Sequence, residues 1–331
     1  MKEFDHLVFI GRFQPFHVGH LFVVNEAFSR TDHVILLIGS ANCPRSLKNP
    51  FSFFEREAYI KNAVTLEAGK TLTCLPLLDT LYNDHLWLQH AQKQVASVTK
   101  KGERIGIIGH DKDDSSYYLK LFPTWEFCAV PSHEGLSATP IRQAFFNDGI
   151  IMADKLPSSS VDFLTAFLQT EAYQHLKAEQ AFIERYQASF SALPYPPTFF
   201  TVDALVVQAG HILVVRRGGE YGRGLLALAG GFVDTKETTA AAVVRELKEE
   251  SGLDVAGQTP AAVEVFDAPS RSLRGRTVTT VFLYELTGEG LPEVAGGDDA
   301  SEAFWLPVGE LAGDDFFEDH YSIIVKMLGI W

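Results

Sequence analysis

The chain is 331 residues long, 46% hydrophobic and 21% charged, with a formal net charge of −14 at pH 7. That length and composition suit a globular protein of two domains, each large enough to bury its own core. The acidic balance excludes a broad nucleic-acid surface, which needs excess Lys and Arg, but leaves room for small phosphorylated ligands held by a few local donors.

The chain opens MKEFDHLVFI, where acids interrupt a short apolar segment, so it does not read as a secretory leader. No apolar run approaches the ~20 residues of a membrane span. β-rich runs lie at 6–11, 33–40, 71–77, 104–110 and 125–130, separated by helical patterns near 19–29, 52–64, 85–98 and 138–147. Strands alternating with helices predict an α/β domain built on a doubly wound parallel sheet. Residues 161–190 lack Gly and Pro and place apolar residues at helical spacing, which predicts one or two helices. LPYPP at 193–197 then reads as a linker. We therefore expect one domain over 1–192 and a second over 198–331. In the second, extended runs at 201–208, 211–217, 263–268 and 276–286 surround a long helix near 237–250, predicting an α+β module. Cys43, Cys74 and Cys128 are far apart and form no C-x-x-C pair, which suits structural thiols in a reducing cytoplasm.

GRFQPFHVGH, Gly11 to His20, joins the first strand to the first helix where nucleotide enzymes often carry a Gly-rich loop with lysine. It resembles the H-x-G-H loop of nucleotidylyltransferases, and Ser137-Ala138-Thr139-Pro140-Ile141-Arg142 resembles their S-x-T-x-x-R motif. Thr139 could cap a helix beginning at Pro140, with Arg142 in its first turn beside free N–H groups. In adenylyl transfer the nucleophile is a phosphate oxygen that is already ionised, so no base is required. Charge on the α-phosphate and departing pyrophosphate does need stabilising, by His17, His20, Arg142, a helix N-terminus and magnesium. Gly19 leaves room for close approach of backbone and phosphate.

The fuller string, with the segments at 40–56, 79–87 and 108–123, is similar to archaeal-type nicotinamide mononucleotide (NMN) adenylyltransferases. The resemblance implies that Arg45 contacts ATP phosphates. It also implies that Trp87 stacks on the nicotinamide ring, a cation against indole, with Asp79 and Asn83 nearby. Gly11, Arg12, Phe13, Gly109, Asp111, Ser137 and Thr139 complete the expected substrate site, with Lys112 beside it.

GFVDTKETTAAAVVRELKEESGL, Gly231 to Leu253, places Glu246, Glu249 and Glu250 on one helical face. Like charges crowded there are unfavourable, and a hard divalent cation with oxygen ligands would reverse that. Gly252 suits the left-handed residue ending such a helix. The spacing of Gly231, Glu237, Arg245, Glu246, Glu249 and Glu250 resembles the Nudix box. The resemblance implies metal ligation by Glu246, Glu250 and Glu249, with Mg2+ the expected ion and Mn2+ an alternative, and attack of water on a substrate pyrophosphate. Asp298, Asp299 and Glu302 are the candidate catalytic bases. The segment 267–282 is similar to Nudix domains acting on ADP-ribose, so Arg271, Arg274 and Arg276 are candidates to face an anionic substrate.

Taken together, both halves resemble the bifunctional NMN adenylyltransferase/Nudix hydrolase family. The resemblance implies a Rossmann-like nucleotidylyltransferase joined to a Nudix fold. ATP, NMN, NAD and ADP-ribose are then the expected partners, with no nucleic acid and no membrane, and a homo-oligomer is compatible. Two alternatives keep the folds: a different Nudix substrate such as NADH or an ADP-sugar, or a non-catalytic nucleotide sensor.

Overall fold

The five apolar runs of the N-terminal half become β1 (His6–Gly11), β2 (His33–Ile38), β3 (Thr71–Pro76), β4 (Ile105–Gly109) and β5 (Glu126–Ala129). The computed structural model describes residues 2–110, 119–131 and 135–330, so Asp111 and Lys112 lie outside the described residues. The strands are parallel in the order β3-β2-β1-β4-β5. Parallel strands covered on both faces need near-continuous apolar sequence, and Leu7, Val8, Leu36 and Leu37 are fully buried. The helices of this unit are α1 (Val18–Arg30), α2 (Phe53–Ala63), α3 (Asp84–Ala96), α4 (Ala138–Asp148) and α5 (Ser158–Phe167). On one face of the sheet, Ala91 and Val95 of α3 pack with Val8, Ile10, Ile35, Leu37 and Ile107. The chain runs outward from β1 to β3, then crosses to β4. That reversal creates a switch point at the carboxyl ends of β1 and β4, where open α/β sheets bind ligands.

The apolar stretch at 161–190 resolves into two helices, α5 and α6 (Glu171–Ala188). The chain divides into two compact units, Met1–Lys177 and Ala178–Trp331, so the division falls inside α6 rather than at the Pro-rich 193–197. The second half of α6 belongs with the C-terminal unit because its side chains pack there. Phe182 stacks on Tyr221, Tyr186 tilts against Phe199, and Glu179 accepts the Gly222 N–H at 2.8 Å.

The C-terminal unit holds β6 (Thr198–Gln208), β7 (His211–Arg217), β8 (Leu226–Ala227), β9 (Ala229–Phe232), α7 (Thr239–Ser251), β10 (Ala262–Phe266), β11 (Arg276–Glu285), β12 (Ala300–Pro307) and α8 (His320–Leu328). Its mixed sheet runs β10-β11-β6-β7-β12, with β8 on β7 and β9 on β6. β6 is parallel to β11 and antiparallel to β7 and β9, and α7 packs on β6 and β9. Thr238 caps α7 through the Ala241 N–H, and Gly252 ends it at φ 75°, in the left-handed conformation expected of it. Among the described residues no helix is long and apolar enough to cross a membrane.

Candidate active sites

The loop after β1 is shaped by grips on its backbone. Arg56 of α2 is only 1% exposed, and among the described residues no acid pairs with it directly. Its guanidinium instead donates to the carbonyls of Arg12, Gly39 and Ser40, joining the ends of β1 and β2. The Tyr59 hydroxyl donates to the Phe13 carbonyl, Arg142 Nη1 to Gln14 O at 2.8 Å, and Ser160 Oγ to Phe16 O at 2.9 Å. The Gln14 side chain exchanges two hydrogen bonds with the Phe51 backbone. Phe13 sits at φ 52°, and a Cβ on Gly11 would lie 2.9 Å from its ring, so Gly11 permits the chain to fold back there.

This held loop delivers both histidines to the start of α1. His17 is the N-cap: its Nδ1 accepts the His20 N–H at 3.3 Å, and His20 Nδ1 accepts the His17 N–H at 3.2 Å. The rings stack with centroids 3.6 Å apart. An imidazole whose Nδ1 accepts from backbone carries its proton on Nε2 when neutral, so each ring is a preset Nε2–H donor. Burial, then the neighbouring His17, holds His20 well below the usual histidine pKa, which keeps it neutral. Gly19 serves this stack: an added Cβ would lie 3.0 Å from His17 Nδ1, so the space expected for phosphate accommodates the His17 ring.

α4 begins earlier than expected, with Ser137 as N-cap and Pro140 in its third position. Proline is tolerated there because the first turn's N–H groups have no helical partner. Ser137 makes no side-chain cap bond, and the Thr139 hydroxyl accepts from Arg142 Nη2 at 3.3 Å instead. Burial and the charge of exposed Arg12 push Arg142 down to about 10. The two guanidiniums therefore converge beside the histidine loop, an arrangement suited to phosphate.

The expected acceptor site is assembled differently in detail. Asp79 accepts from Ser40 N at 3.1 Å, from Ser40 Oγ at 2.7 Å and from Cys43 Sγ, which ties the β2 and β3 loops together. Asn83 caps α3 by accepting the Leu86 N–H at 3.0 Å. Half-buried Trp87 lies 6.2 Å from Phe122, which stacks on Trp125. Arg45 donates to Glu55 through both Nη atoms, at 2.9 and 3.0 Å, and also to the Pro50 carbonyl. Gly109 ends β4 under Leu119.

In the C-terminal unit Glu246 and Glu250 are buried on α7. Gly231 of β9 makes room for Glu246, since an added Cβ would lie 2.5 Å from its Oε1. Arg245 gathers the acids, donating to Glu237 at 2.6 Å and to Glu246 and Glu249 at 2.9 Å each. Glu250 Oε2 accepts the Gly230 N–H at 2.8 Å, and its carboxyl hydrogen-bonds Asp299. Burial first, then Asp299, pushes Glu250 up to about 9; burial also raises Glu246. Two carboxyls in contact need a proton or a cation between them, and an all-oxygen set of this kind fits a hard divalent ion. As they stand, no three acids or histidines among the described residues are gathered to hold one, and Arg245 engages Glu246 and Glu249.

Of the candidate bases, Asp299 lies against Glu250, Asp298 turns the loop at φ 51°, and Glu302 is paired with Arg216 at 2.8 Å. Arg271 forms a buried two-bond pair with Asp319, at 2.9 Å each, and the partly exposed Arg276 donates to the Asp267 carbonyl. Sequence reasoning misses Arg56 and Tyr59 as supports of the histidine loop. The FFER context marks only a helix, and nothing in it announces carbonyl partners 44 and 46 residues away.

The chain matches the cytidylyltransferase-like family over residues 8–144 and the NUDIX domain family over residues 197–327. It is 39% identical over 178 residues to a nicotinamide/nicotinic acid mononucleotide adenylyltransferase of Acinetobacter baylyi, covering 54% of this chain and 94% of that protein. It is 37% identical over 123 residues to an ADP-ribose pyrophosphatase of Methanocaldococcus jannaschii, covering 37% of this chain and 69% of that protein. The crystal structure of a bifunctional NMN adenylyltransferase/ADP ribose pyrophosphatase from Francisella tularensis matches with a TM-score of 0.93 and 38% identity, covering 99% of each chain. A second structure from that organism, complexed with AMP and a manganese ion, matches at 0.92 and 37%, covering 98% of this chain and 99% of that one. With the two units, the histidine loop and the carboxylate helix in place, the chain belongs to the family of bifunctional NMN adenylyltransferase/Nudix proteins.

Proposed function

We propose that the N-terminal unit transfers AMP from ATP to NMN, giving NAD and pyrophosphate, and that the C-terminal unit hydrolyses ADP-ribose to AMP and ribose 5-phosphate with Mg2+. The Nε2–H tautomers preset in the stacked histidines support the first reaction. An NMN phosphate oxygen forms a bond to the α-phosphorus of ATP, and the bond to the bridging oxygen breaks. His17, His20, Arg12 and Arg142 meet the charge on the phosphates, and no residue has to take a proton. In the second unit, Glu246, Glu250 and Asp299 would hold the cation, with Glu249 joining, once Arg245 releases Glu246 and Glu249. A bound divalent ion supplies Lewis-acid charge to the diphosphate and lowers the pKa of water. The three free thiols suit a reducing compartment such as the cytoplasm.

The direct test is one panel with magnesium: NMN plus ATP, and separately ADP-ribose, NADH and ADP-glucose, with products resolved by chromatography. NAD from the first mixture and highest kcat/KM for ADP-ribose in the second set support the reading; a clear preference for NADH or ADP-glucose defeats its second half.

Trp87→Ala is expected to raise KM for NMN about threefold to thirtyfold, the span of a cation–π contact, with KM for ATP unchanged. Trp87 also packs toward Phe122. Equal damage to both constants would assign it to the core alone.

A further inference from the structure

Arg217 and Arg274 differ from the paired arginines of the C-terminal unit. Arg217 ends β7, donates Nε to the Tyr221 carbonyl at 3.2 Å, and lies 4.1 Å from the Phe317 ring centroid. Arg274 lies over two rings, Tyr221 and Phe232, at 5.7 Å from each. Tyr221 and Phe317 pack edge to face at 5.0 Å, so both guanidiniums are mounted on one aromatic wall. Among the described residues neither has a carboxylate within ion-pairing distance, and the Nη atoms of Arg217 have no acceptor. Burial and the charge of Arg274 hold Arg217 below its ordinary pKa. The Glu318 carboxylate, which accepts the Tyr221 hydroxyl at 3.1 Å, acts on both guanidiniums without pairing directly with either, so an arriving anion would still gain from both forks.

Both arginines abut the carboxylate site. Gly218, the residue after Arg217, donates its N–H to the Asp299 carbonyl at 2.9 Å, and the Asp299 side chain bonds Glu250. Phe232, under Arg274, follows Gly231, the residue that makes room for Glu246. We propose that Arg217 and Arg274 form a two-guanidinium clamp that binds a phosphate of the organic diphosphate directly, while the neighbouring carboxylates reach the diphosphate through the cation. The planar forks suit phosphate oxygens, and the aromatic wall fixes their planes. This inference rests on the reading that the unit cleaves an organic diphosphate.

The test uses the full chain with Arg217→Gln, Arg274→Gln and the two Lys variants. Each Gln variant is expected to raise KM for ADP-ribose about tenfold to a hundredfold, the loss of a charge-assisted hydrogen bond. Its kcat is expected to stay within about threefold, as for uniform binding. The non-hydrolysable α,β-methylene analogue of ADP-ribose should bind weaker by the same factor in calorimetry. Lys variants keep the charge but lose the fork, so they recover part of the affinity. Melting temperature and NAD synthesis report folding in every variant. Unchanged KM and analogue affinity in the Gln and Lys variants overturn the clamp, as does a fall in melting temperature without a change in KM. If the wild type prefers NADH or ADP-glucose, the ADP-ribose reading fails, and the same KM comparison on that preferred substrate decides the clamp. A wild type that neither binds nor cleaves any of these diphosphates overturns both.

Discussion

His20→Ala is expected to lower NAD synthesis by about 10²–10³-fold while ADP-ribose hydrolysis stays within about twofold, as for sites with no shared partners. The loss is compound. The substitution deletes the His20 Nε2–H donor, and it also deletes the Nδ1 that accepts the His17 N–H. The His17 ring then lacks the partner stacked 3.6 Å away, so the second donor loses part of its orientation. The carbonyl grips by Arg56, Tyr59, Arg142 and Ser160 do not involve the His20 side chain, so the loop backbone is retained. Steady-state rates for both reactions, with circular dichroism and thermal melts on the same preparation, check this. Loss of hydrolysis in a folded His20→Ala protein would mean the two sites are shared or coupled.

Glu250→Gln is expected to abolish most ADP-ribose hydrolysis and leave NAD synthesis intact. Burial and Asp299 push Glu250 up to about 9, so without metal at pH 7 its buried side chain is already neutral. Gln reproduces that neutral form and can still accept the Gly230 N–H. The metal-free variant should therefore melt at or above the wild-type temperature. Added magnesium should raise the wild-type melting temperature by linkage and leave Glu250→Gln almost unmoved. Removing metal with a chelator should likewise stop hydrolysis in the wild type. A Glu250→Gln protein that retains both hydrolysis and the magnesium-induced rise would remove Glu250 from the metal site.

These expectations draw on parts of the chain that are unequally legible in its sequence. Continuous apolar runs at 6–11 and 33–40 announce strands covered on both faces, because parallel sheets leave no solvated side. Glu246, Glu249 and Glu250 announce a shared face through helical spacing alone. β9 is not visible, since Ala-Gly-Gly-Phe reads as a loop, and its glycines matter only against Glu246, Glu250 and β6. β12 begins in the polar run that reads as surface loop, and α8 is too short for its period to stand out. The Pro-rich run at 193–197 marks where a helix cannot continue, and the NUDIX match begins at its end, whereas the packing of Phe182 and Tyr186 joins the second half of α6 to the C-terminal unit. Arg45 and Arg271 show the same limit: the resemblance points to a cation, and only folding shows that each pairs with an acid, Glu55 or Asp319.

The grips on the Arg12–Phe16 carbonyls also impose an order of assembly. The partners of Gln14 and Phe16 lie 128 and 144 residues downstream, so the loop ahead of His17 acquires its last supports only after α4 and α5 have formed and docked. Contacts this distant are gained late, because closing the intervening chain costs entropy before it is repaid. During synthesis the histidine loop is then among the first segments made and the last completed. A fragment ending at residue 144, where the cytidylyltransferase-like match stops, would carry both nucleotidyltransferase motifs and still leave the Phe16 carbonyl, one residue before His17, without Ser160.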